Sequence, residues 1–264
     1  MLMFPRHKKA MTRSSQMPSP IIEVKNVSKS YGGVKANVDI TLDVLEGSIT
    51  GIIGPNGCGK TTLFNSIVGY HPIDEGSIKF SGHEISKMQV DEIARLGMLR
   101  TFQQTRIYTK MDCVDNMQIS VSQREGSDFS MFANRKGEIR ERAEHLLEFV
   151  GLYSKRNLIS GDLSFGQQKL LEFAMALMNE PKVLLLDEPT AGINPTLING
   201  LIDRLQRANE ELGITLCVIE HNMRVIMNLA SHIYCLANGK MLADGAPAEL
   251  QNDQRVVDAY LGGH

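Results

Sequence analysis

The segment from Gly54 to Thr61, with the sequence Gly-Pro-Asn-Gly-Cys-Gly-Lys-Thr, combines the residue types that bind a phosphate chain. Its glycines let successive backbone N–H groups turn inward, and such groups at the start of a helix form a concave anion site. Lys60 has the reach to contact the outer phosphates of a nucleotide, and the Thr61 hydroxyl is able to ligate Mg²⁺. Because the segment lies between an apolar strand pattern and a helical pattern, we predict a nucleotide site there. Its predicted residues are Gly54, Pro55, Asn56, Gly57, Cys58, Gly59, Lys60, Thr61 and Thr62.

Cys58 is an unusual residue within this loop and leaves two interpretations open. In the first, a small side chain is tolerated where only the backbone contacts the ligand. In the second, the thiol reacts with alkylating agents and bound nucleotide protects it. The four cysteines, Cys58, Cys113, Cys217 and Cys235, form no CxxC pair, so neither a zinc site nor a disulfide framework is expected.

Two apolar runs end in polar residues that suit phosphate hydrolysis. Residues 183–186 precede Asp187 and Glu188, and residues 214–219 lead to His221. Because ligands bind at the carboxyl ends of parallel strands in open α/β sheets, both sets are predicted to lie at one edge of a sheet. There, Asp187 is expected to hold Mg²⁺, and Glu188 is expected to orient and polarise the attacking water. His221 is expected near the terminal phosphate.

The elements that must position these residues follow from the hydrophobic pattern. Continuous apolar runs are typical of parallel strands covered on both faces, whereas residues 40–44 alternate like a half-buried antiparallel strand. Asn238-Gly239 between two apolar runs indicates a type I′ hairpin. The alternation of strands and helices predicts an α/β fold with a mostly parallel sheet. Strands are predicted at about 22–24, 40–44, 48–53, 76–80, 183–186, 214–219, 233–237 and 240–243, and helices at 61–68, 90–96, 137–150, 168–179 and 199–212.

Composition argues against several classes of protein. The chain has 264 residues, 42% of them hydrophobic, and a net charge of −2, which gives no general electrostatic reason to bind nucleic acid. No apolar run approaches the ~20 residues that a membrane span needs, so a soluble chain is expected. Residues 1–19 are rich in Ser, Pro and Met and are predicted to form a disordered basic arm. That arm is either a solvated tail or a segment attracted to anionic lipid.

The segment Leu163-Ser164-Phe165-Gly166-Gln167 precedes a helical pattern and offers a second anion site at the N-terminus of that helix. It resembles the LSGGQ signature of the ABC (ATP-binding cassette) ATPases, and the resemblance extends over residues 21–264. The resemblance implies a P-loop NTPase core with an N-terminal antiparallel β subdomain and a helical subdomain. The implied ATP-binding domain spans residues 20–264, with the helical subdomain at about 104–168.

The resemblance also implies roles for further residues. Tyr31 matches the aromatic residue that stacks on adenine, and Gln103 matches the glutamine that contacts Mg²⁺ and the attacking water. Gln104 is the alternative. Gln103 is favoured because it directly follows an aromatic residue, as the glutamine of the family does. His221 is similar to the switch histidine of the family, and Asn194 lies in the loop that crosses the dimer interface. The residues implied to face the ATP held by a second subunit are Leu163, Ser164, Phe165, Gly166 and Gln167.

Phe165 and Asn194 depart from the general family pattern and are similar to the ATPases that power import of branched-chain amino acids and related amides. That group also has the phrases Arg-Thr-Phe-Gln, Val-Ile-Glu-His-Asn-Met and Ala-Tyr-Leu-Gly, found here at 100–103, 218–223 and 259–262. The resemblance therefore implies the ATP-hydrolysing subunit of a membrane importer. The alternatives are an exporter of lipid or lipopolysaccharide, a soluble ABC ATPase that acts on ribosomes or DNA, and a cassette without catalytic activity.

The resemblance further implies partners and a location. ATP and Mg²⁺ are the implied ligands, and a second ATPase subunit, identical or homologous, is the implied dimer partner. Transmembrane permease subunits are implied as direct partners and a substrate-binding protein as an indirect one, at the cytoplasmic face of the inner membrane. Met111, Met117 and Met131 either form an adaptable docking surface for the permeases or belong to the core.

Overall fold

The computed structural model describes residues 19–101, 107–121 and 132–261, with the backbone alone for 132–136 and 261. The strands are β1 (Pro20–Tyr31), β2 (Val34–Leu45), β3 (Ile49–Ile53), β4 (Glu75–Phe80), β5 (His83–Glu84), β6 (Met98–Arg100), β7 (Val183–Asp187), β8 (Thr215–Ile219), β9 (His232–Ala237) and β10 (Lys240–Gly245). The α-helices are α1 (Lys60–Ile67), α2 (Val90–Leu96), α3 (Cys113–Ile119), α4 (Phe132–Phe149), α5 (Phe165–Leu177), α6 (Pro195–Leu212), α7 (Met223–Leu229), α8 (Pro247–Gln251) and α9 (Gln254–Leu261).

A four-stranded antiparallel sheet, in the order β2-β1-β4-β5, contains most of the N-terminal strands. Along β2, Ile40, Leu42 and Val44 are buried, whereas Thr41 and Asp43 between them are exposed. This alternation means that one face of the sheet packs against the core and the other faces solvent. The predicted antiparallel β subdomain at the N-terminus is therefore confirmed.

A six-stranded sheet has the order β10-β9-β3-β8-β7-β6, and its strand pairs are parallel except for β9 with β10. Strands β3, β7 and β8 are buried along their whole length, as expected for strands covered on both faces. Because β3, β8 and β7 are parallel neighbours, their carboxyl ends meet at one edge, which we call the carboxyl edge. The predicted α/β fold with a mostly parallel sheet is confirmed.

The hairpin between β9 and β10 turns through Asn238 and Gly239, whose φ angles are 49° and 75°. Positive φ at both central residues is the property of a type I′ turn, as the Asn-Gly pair predicted. The Gly239 amide donates to the Cys58 carbonyl at 3.1 Å, and the Gly239 carbonyl accepts from the Val38 amide at 2.8 Å. The hairpin is therefore hydrogen-bonded to the phosphate loop on one side and to β2 on the other.

Two hydrophobic clusters cover the two faces of the larger sheet, because alternate residues of each strand enter different clusters. In β7, for example, Leu184 and Leu186 join one cluster and Val183 joins the other. The cluster that contains Val183 also contains Phe64 from α1 and buried residues of the smaller sheet. Helix α1 therefore packs between the two sheets. The other cluster is built on α3, α4, α5 and α6.

Helix α5 begins at Phe165, three residues earlier than the hydrophobic pattern predicted. The reason is a reciprocal cap at its first turn: the Gln167 amide donates to Ser164 Oγ, and the Ser164 amide donates to Gln167 Oε1. The pattern located only the buried face of the helix, which starts one turn later. The sequence analysis was therefore wrong about where this helix starts.

Helix α6 likewise begins at Pro195 and not at residue 199. Asn194 caps it by accepting a hydrogen bond from the Thr196 amide, and proline suits the first helical position because that position needs no N–H partner. Helix α4 begins at residue 132 and not at 137. Strands β5 and β6 and helices α3, α7, α8 and α9 were not predicted; such short segments seldom show a clear periodic pattern, although α1 and α2, of similar length, were recognised.

Met117 is fully buried in the cluster built on the helices, so it belongs to the core and not to a docking surface. Met111 is half-buried, and Met131 lies outside the described residues. The predicted basic arm at 1–19 lies outside them except for its last residue, and the limits of the helical subdomain at 104–168 stay a prediction. In the part of the chain that the structure describes, no helix has the length and apolar character to cross a membrane.

Candidate functional site

The phosphate loop leaves the end of β3 and enters α1 at Lys60. Gly54 has a φ of 145°, and a Cβ there would lie 2.1 Å from the Leu236 carbonyl oxygen of the neighbouring strand. Gly59 has a φ of 104°, and a Cβ there would lie 2.3 Å from the Ala36 carbonyl oxygen. Both positions therefore require glycine, which fixes the path of the loop between two strands.

Lys60 is only 6% exposed, and its Nζ donates to the carbonyls of Gly54 at 2.7 Å and Pro55 at 3.0 Å. The ammonium group of Lys60 is thus hydrogen-bonded to the first two residues of its own loop. Asn56, Gly57 and Thr61 are exposed, whereas Pro55, Gly59 and Thr62 are half-buried. The loop therefore exposes Asn56, Gly57 and Thr61, while the Lys60 ammonium group lies buried against the start of the same loop, and this combination suits a phosphate chain.

The side chain of Cys58 is buried, with its Sγ 3.9 Å from Lys60 Nζ. The residue is 3% exposed and belongs to the hydrophobic cluster between the sheets, and burial raises the pKa of its thiol despite the nearby Lys60. A buried thiol with a raised pKa forms little of the thiolate that reacts with alkylating agents. These observations favour the interpretation of Cys58 as a small residue tolerated in the loop.

The carboxyl edge brings together the residues that follow β3, β8 and β7. Ile219 of β8 is in register with Ile52 of β3 and with Asp187 of β7, so the phosphate loop and the two carboxylates leave strands that flank β8 on either side. The Glu188 amide donates to the Ile219 carbonyl at 2.9 Å. His221, two residues after β8, places Nδ1 3.8 Å from Glu188 Oε2. The structure thus assembles the phosphate loop, Asp187, Glu188 and His221 into one site.

Glu188 adopts an uncommon backbone conformation, with a φ of 50°. A positive φ outside glycine costs of order 1–3 kcal/mol and persists only where surrounding contacts hold it. Here the hydrogen bond to Ile219 and one from the Ala191 amide to the Glu188 carbonyl hold the turn. The Glu188 side chain is 21% exposed, so its carboxylate is directed to solvent beside His221 instead of into the core.

Arg100 is a site residue to which the sequence analysis gave no role. Its Nη2 donates to Asp187 Oδ2 at 2.6 Å, its Nη1 donates to Asn65 Oδ1 on α1, and its guanidinium lies 5.7 Å from the centre of the Phe64 ring. The side chains of Arg100 and Asp187 are 8% and 0% exposed. Arg100 therefore neutralises a buried carboxylate and ties it to the helix that follows the phosphate loop. Arg100 is the first residue of the phrase Arg-Thr-Phe-Gln, which the sequence analysis used only as a sign of family resemblance.

The residues present suit a Mg²⁺ ion. Asp187 Oδ1 is buried and has no hydrogen-bond partner among the described residues, while Oδ2 is bound to Arg100. One carboxylate oxygen is therefore available as a ligand, and Thr61, whose hydroxyl is the second predicted ligand, is exposed in the first turn of α1. Mg²⁺ prefers oxygen ligands and is commonly held by one or two protein groups with phosphates and water. Gln103, the third predicted ligand, lies outside the described residues, as does Gln104.

Glu220 is a second residue whose importance the sequence analysis missed. It is fully buried, and its Oε1 accepts from the Thr190 amide at 3.0 Å and from the Thr190 hydroxyl. Its Oε2 accepts from the amides of His221 at 3.1 Å and Asn222 at 3.3 Å. Glu220 thus fixes the loop that carries His221 to the turn after Glu188. The position of Glu220, directly between an apolar strand pattern and His221, is the sequence signal by which it could have been found.

The signature segment is held by the loop that follows Glu188 in the same chain. Ser164 and Phe165 are exposed and Gly166 is buried, at the N-terminus of α5. The Phe165 ring lies close to Gly192, where an added Cβ would be 2.8 Å from the ring. Leu163 is buried and Gln167 is half-buried in the helix cap, and exposed Asn194 caps α6. The exposed tip of α5 therefore lies beside the start of α6.

Tyr31 lies at the end of β1, on a different element from the other predicted site residues, and is 42% exposed. The His71 ring meets it edge-on with centroids 5.6 Å apart, and Lys29 Nζ lies 5.4 Å from its centroid. An exposed aromatic ring supported by neighbours on one side is suited to stacking. Its contact with adenine stays a prediction.

Comparisons with known proteins show the family to which this chain belongs. Residues 38–191 match the ABC transporter family model, and residues 240–264 match the model for the branched-chain amino acid ATP-binding cassette transporter. The chain is 36% identical over 253 residues to the high-affinity branched-chain amino acid transport ATP-binding protein BraF of Pseudomonas aeruginosa, covering 93% of this chain and 99% of that protein. The chain therefore belongs to the ABC transporter family, whose ATP-binding subunits hydrolyse ATP.

Solved structures of cassettes have the same fold. One ATP-binding cassette of an ABC transporter in its ADP conformation is similar with a TM-score of 0.81 and 31% identity, covering 92% of this chain and 99% of that chain. A dimeric cassette in a post-hydrolysis state, bound to ADP and phosphate, is similar with a TM-score of 0.74 and 26% identity, covering 86% and 98%. The particular proteins that this chain resembles are thus a branched-chain amino acid transport ATP-binding protein and two ATP-binding cassettes.

The ion pair between Arg100 and Asp187 yields a prediction about stability. Arg100→Gln should destabilise the chain by about 3–5 kcal/mol, because it leaves a buried carboxylate without its cation. Combining it with Asp187→Asn should recover a large part of that loss, since the buried charge is then also removed. Urea unfolding of the wild type, both single variants and the double variant measures the coupling.

Arg95→Gln is the matched control for this experiment. Arg95 pairs with Asp91 at 2.8 Å, but their side chains are 74% and 64% exposed, so its loss should change stability by less than about 1 kcal/mol. If Arg100→Gln were as mild as Arg95→Gln, or if the two site substitutions were additive, the ion pair would have no part in stabilising the site.

Proposed function

We propose that this chain is the Mg²⁺-dependent ATPase subunit of an importer of branched-chain amino acids or related amides. One observation carries the proposal: the ends of the adjacent strands β3, β8 and β7 place the phosphate loop, His221, Asp187 and Glu188 at a single edge. That edge holds a phosphate cradle, a buried carboxylate with one open oxygen and a carboxylate directed to solvent. Those are the components that hydrolysis of a nucleotide triphosphate requires.

ATP binding uses the phosphate loop. Residues 54–62 form the loop that surrounds the phosphates, and the Lys60 ammonium exchanges its two carbonyl partners for phosphate oxygens, which are stronger, charged acceptors. The resemblance of Tyr31 to the adenine-stacking residue supports its contact with the base. Thr61 and Asp187, with Gln103, are the residues that would hold Mg²⁺. The bound ion supplies neutralisation of the charge that develops on the outer phosphates.

Hydrolysis uses the solvent-facing side of the same edge. Glu188 accepts a proton from the attacking water and orients it toward the terminal phosphorus. His221 lies within reach of both the Glu188 carboxylate and the terminal phosphate, and it holds that phosphate in line. Glu220 keeps the His221 loop in place through two backbone amides.

The signature segment acts on the ATP of a second subunit. Ser164 and the N-terminus of α5 are exposed, so they are available to the phosphate chain bound by a partner cassette. The dimeric cassette with ADP and phosphate to which this chain is similar supports such pairing. Asn194, exposed at the start of α6, lies in the dimer interface. The partner is either an identical or a homologous ATPase subunit.

The transported substrate is inferred from the relatives. The match of residues 240–264 to the branched-chain amino acid cassette model and the similarity to BraF favour import of branched-chain amino acids over export of lipid or lipopolysaccharide. The direct partners are then two transmembrane permease subunits, and a substrate-binding protein acts through them. The chain lies at the cytoplasmic face of the inner membrane as a peripheral subunit.

Glu188→Gln tests the proposed base. The amide keeps the shape of the side chain but accepts no proton, so ATP hydrolysis should fall by about 100-fold or more while ATP binding persists. Because hydrolysis then no longer separates the subunits, ATP should produce a stable dimer. Phosphate release measures the first effect, and size-exclusion chromatography with light scattering measures the second.

Glu210→Gln is the control for charge, since Glu210 is an exposed residue on α6. It should retain wild-type hydrolysis and show no stable dimer. Wild-type hydrolysis by Glu188→Gln would show that another group is the base.

Transport by the intact complex tests the proposed substrate. The complex purified from membranes with its permease and binding-protein partners should, in proteoliposomes, take up labelled leucine when ATP is present on the side of the ATPase. The same complex with Lys60→Ala should take up none, because the loop has lost the cation that binds the phosphates.

The uptake of a chemically distant solute such as labelled maltose provides the specificity control. Leucine uptake that is independent of ATP, or ATP-dependent movement of lipid without leucine uptake, would contradict the proposed direction and substrate.

A further inference from the structure

The C-terminal helix α9 reaches the phosphate loop through one side chain. The Gly54 amide donates to the Tyr260 hydroxyl at 2.8 Å. Gly54 is the first residue of the phosphate loop and Tyr260 belongs to the Ala-Tyr-Leu-Gly phrase near the end of the chain, 206 positions away. None of the groups proposed to bind or hydrolyse ATP belongs to this phrase.

The Gly54 amide needs a partner because the strand ladder ends just before it. Ile53 is the last residue of β3 in register with β9, opposite Cys235. Gly54 then turns away with a φ of 145°, and it is buried. A buried amide without a hydrogen bond costs about 1–3 kcal/mol, so the hydroxyl of Tyr260 stabilises the point where the loop leaves the sheet.

The same glycine also contacts the phosphate-binding lysine. Its carbonyl accepts from Lys60 Nζ at 2.7 Å, while its amide donates to Tyr260. Gly54 is therefore hydrogen-bonded to Tyr260 through its amide and to Lys60 through its carbonyl. Without the hydrogen bond to Tyr260, the Ile53–Gly54 peptide is less constrained. Because the Gly54 carbonyl binds Lys60, a change in this peptide also changes the positions of Lys60 and of the loop amides.

Helix α9 is docked by apolar contacts of its own. Val256 is 1% exposed and lies in the hydrophobic cluster with Leu250 of α8, and the Tyr260 ring packs against that cluster. Burial also raises the pKa of the Tyr260 hydroxyl, so the group stays neutral at physiological pH. The packing of α9 against this cluster therefore places the Tyr260 hydroxyl at the Gly54 amide.

We propose that Tyr260 is a positioning residue of the nucleotide site, through which docking of the C-terminal helix is coupled to nucleotide binding. The coupling is reciprocal by thermodynamic necessity: a docked helix favours the loop geometry that binds phosphate, and bound nucleotide favours the docked helix. This inference rests on the proposed binding of nucleotide at residues 54–62. The tyrosine touches neither substrate nor reacting atoms, so it acts on affinity and leaves the chemical step unchanged.

Tyr260→Phe removes only the hydroxyl, and the ring should still dock. Its affinity for ADP, measured by isothermal titration calorimetry on the full chain, should fall about three- to tenfold, the equivalent of one buried hydrogen bond. The value of kcat at saturating ATP should stay within about twofold of wild type, since only uniform binding is lost.

Tyr234→Phe is the matched control. The Tyr234 hydroxyl is bound to the backbone of Asp43, accepting from the amide at 3.1 Å and donating to the carbonyl at 3.0 Å, away from the phosphate loop. This variant loses a comparable tyrosine contact but should bind ADP like the wild type. If both variants weakened ADP binding equally, the effect would be one of general stability and the inference would fall.

Hydrogen exchange gives a second readout that a purely structural role would not move. Saturating ADP should slow exchange of the α9 amides in the wild type by more than it does in Tyr260→Phe. Equal ADP affinity in the wild type and Tyr260→Phe, with equal protection of α9, would overturn the inference and leave the proposed function intact. Failure of the wild type to bind ADP would overturn both.

Discussion

The charge of Asp187 is the constraint on which the arrangement of the site depends. Its carboxylate is fully buried at the carboxyl edge, where an unpaired charge would be costly. Arg100 supplies the compensating charge on one oxygen and reaches Asn65 on α1, so the strand that carries the carboxylate and the helix that follows the phosphate loop are held together. The other oxygen is left for a ligand. A second buried carboxylate, Glu220, is satisfied by backbone amides and fixes the adjacent loop.

The site contains a hydrogen-bonded part and an exposed part, and the proposed mechanism uses the two differently. Gly54 is hydrogen-bonded to Tyr260 and Lys60, and the Leu236 carbonyl leaves no room for a side chain there. The tip of α5, by contrast, exposes Ser164 beside the start of α6. In the mechanism proposed above, ATP joins the rigid loop of one subunit to the exposed tip of another, and hydrolysis removes that link.

The sequence alone predicted those parts of the fold and site that depend on local pattern. The continuous apolar runs before Asp187 and His221 indicated parallel strands, and the Asn-Gly pair indicated its hairpin, because strand burial and turn chemistry are read over a few residues. The starts of α5 and α6 were missed because caps, not apolar residues, begin a helix. Arg100 and Tyr260 were missed as site residues because their partners are distant in sequence, and Gln103 lies outside the described residues.

The claim that two cassettes complete one site is tested most directly by a structure of this chain with a nonhydrolysable ATP analogue and Mg²⁺. The account predicts a pair of cassettes in which Ser164 of one lies within hydrogen-bond distance of the terminal phosphate bound at Lys60 of the other. A well-occupied analogue at Lys60 in a cassette whose signature segment contacts no phosphate of any neighbour would contradict it.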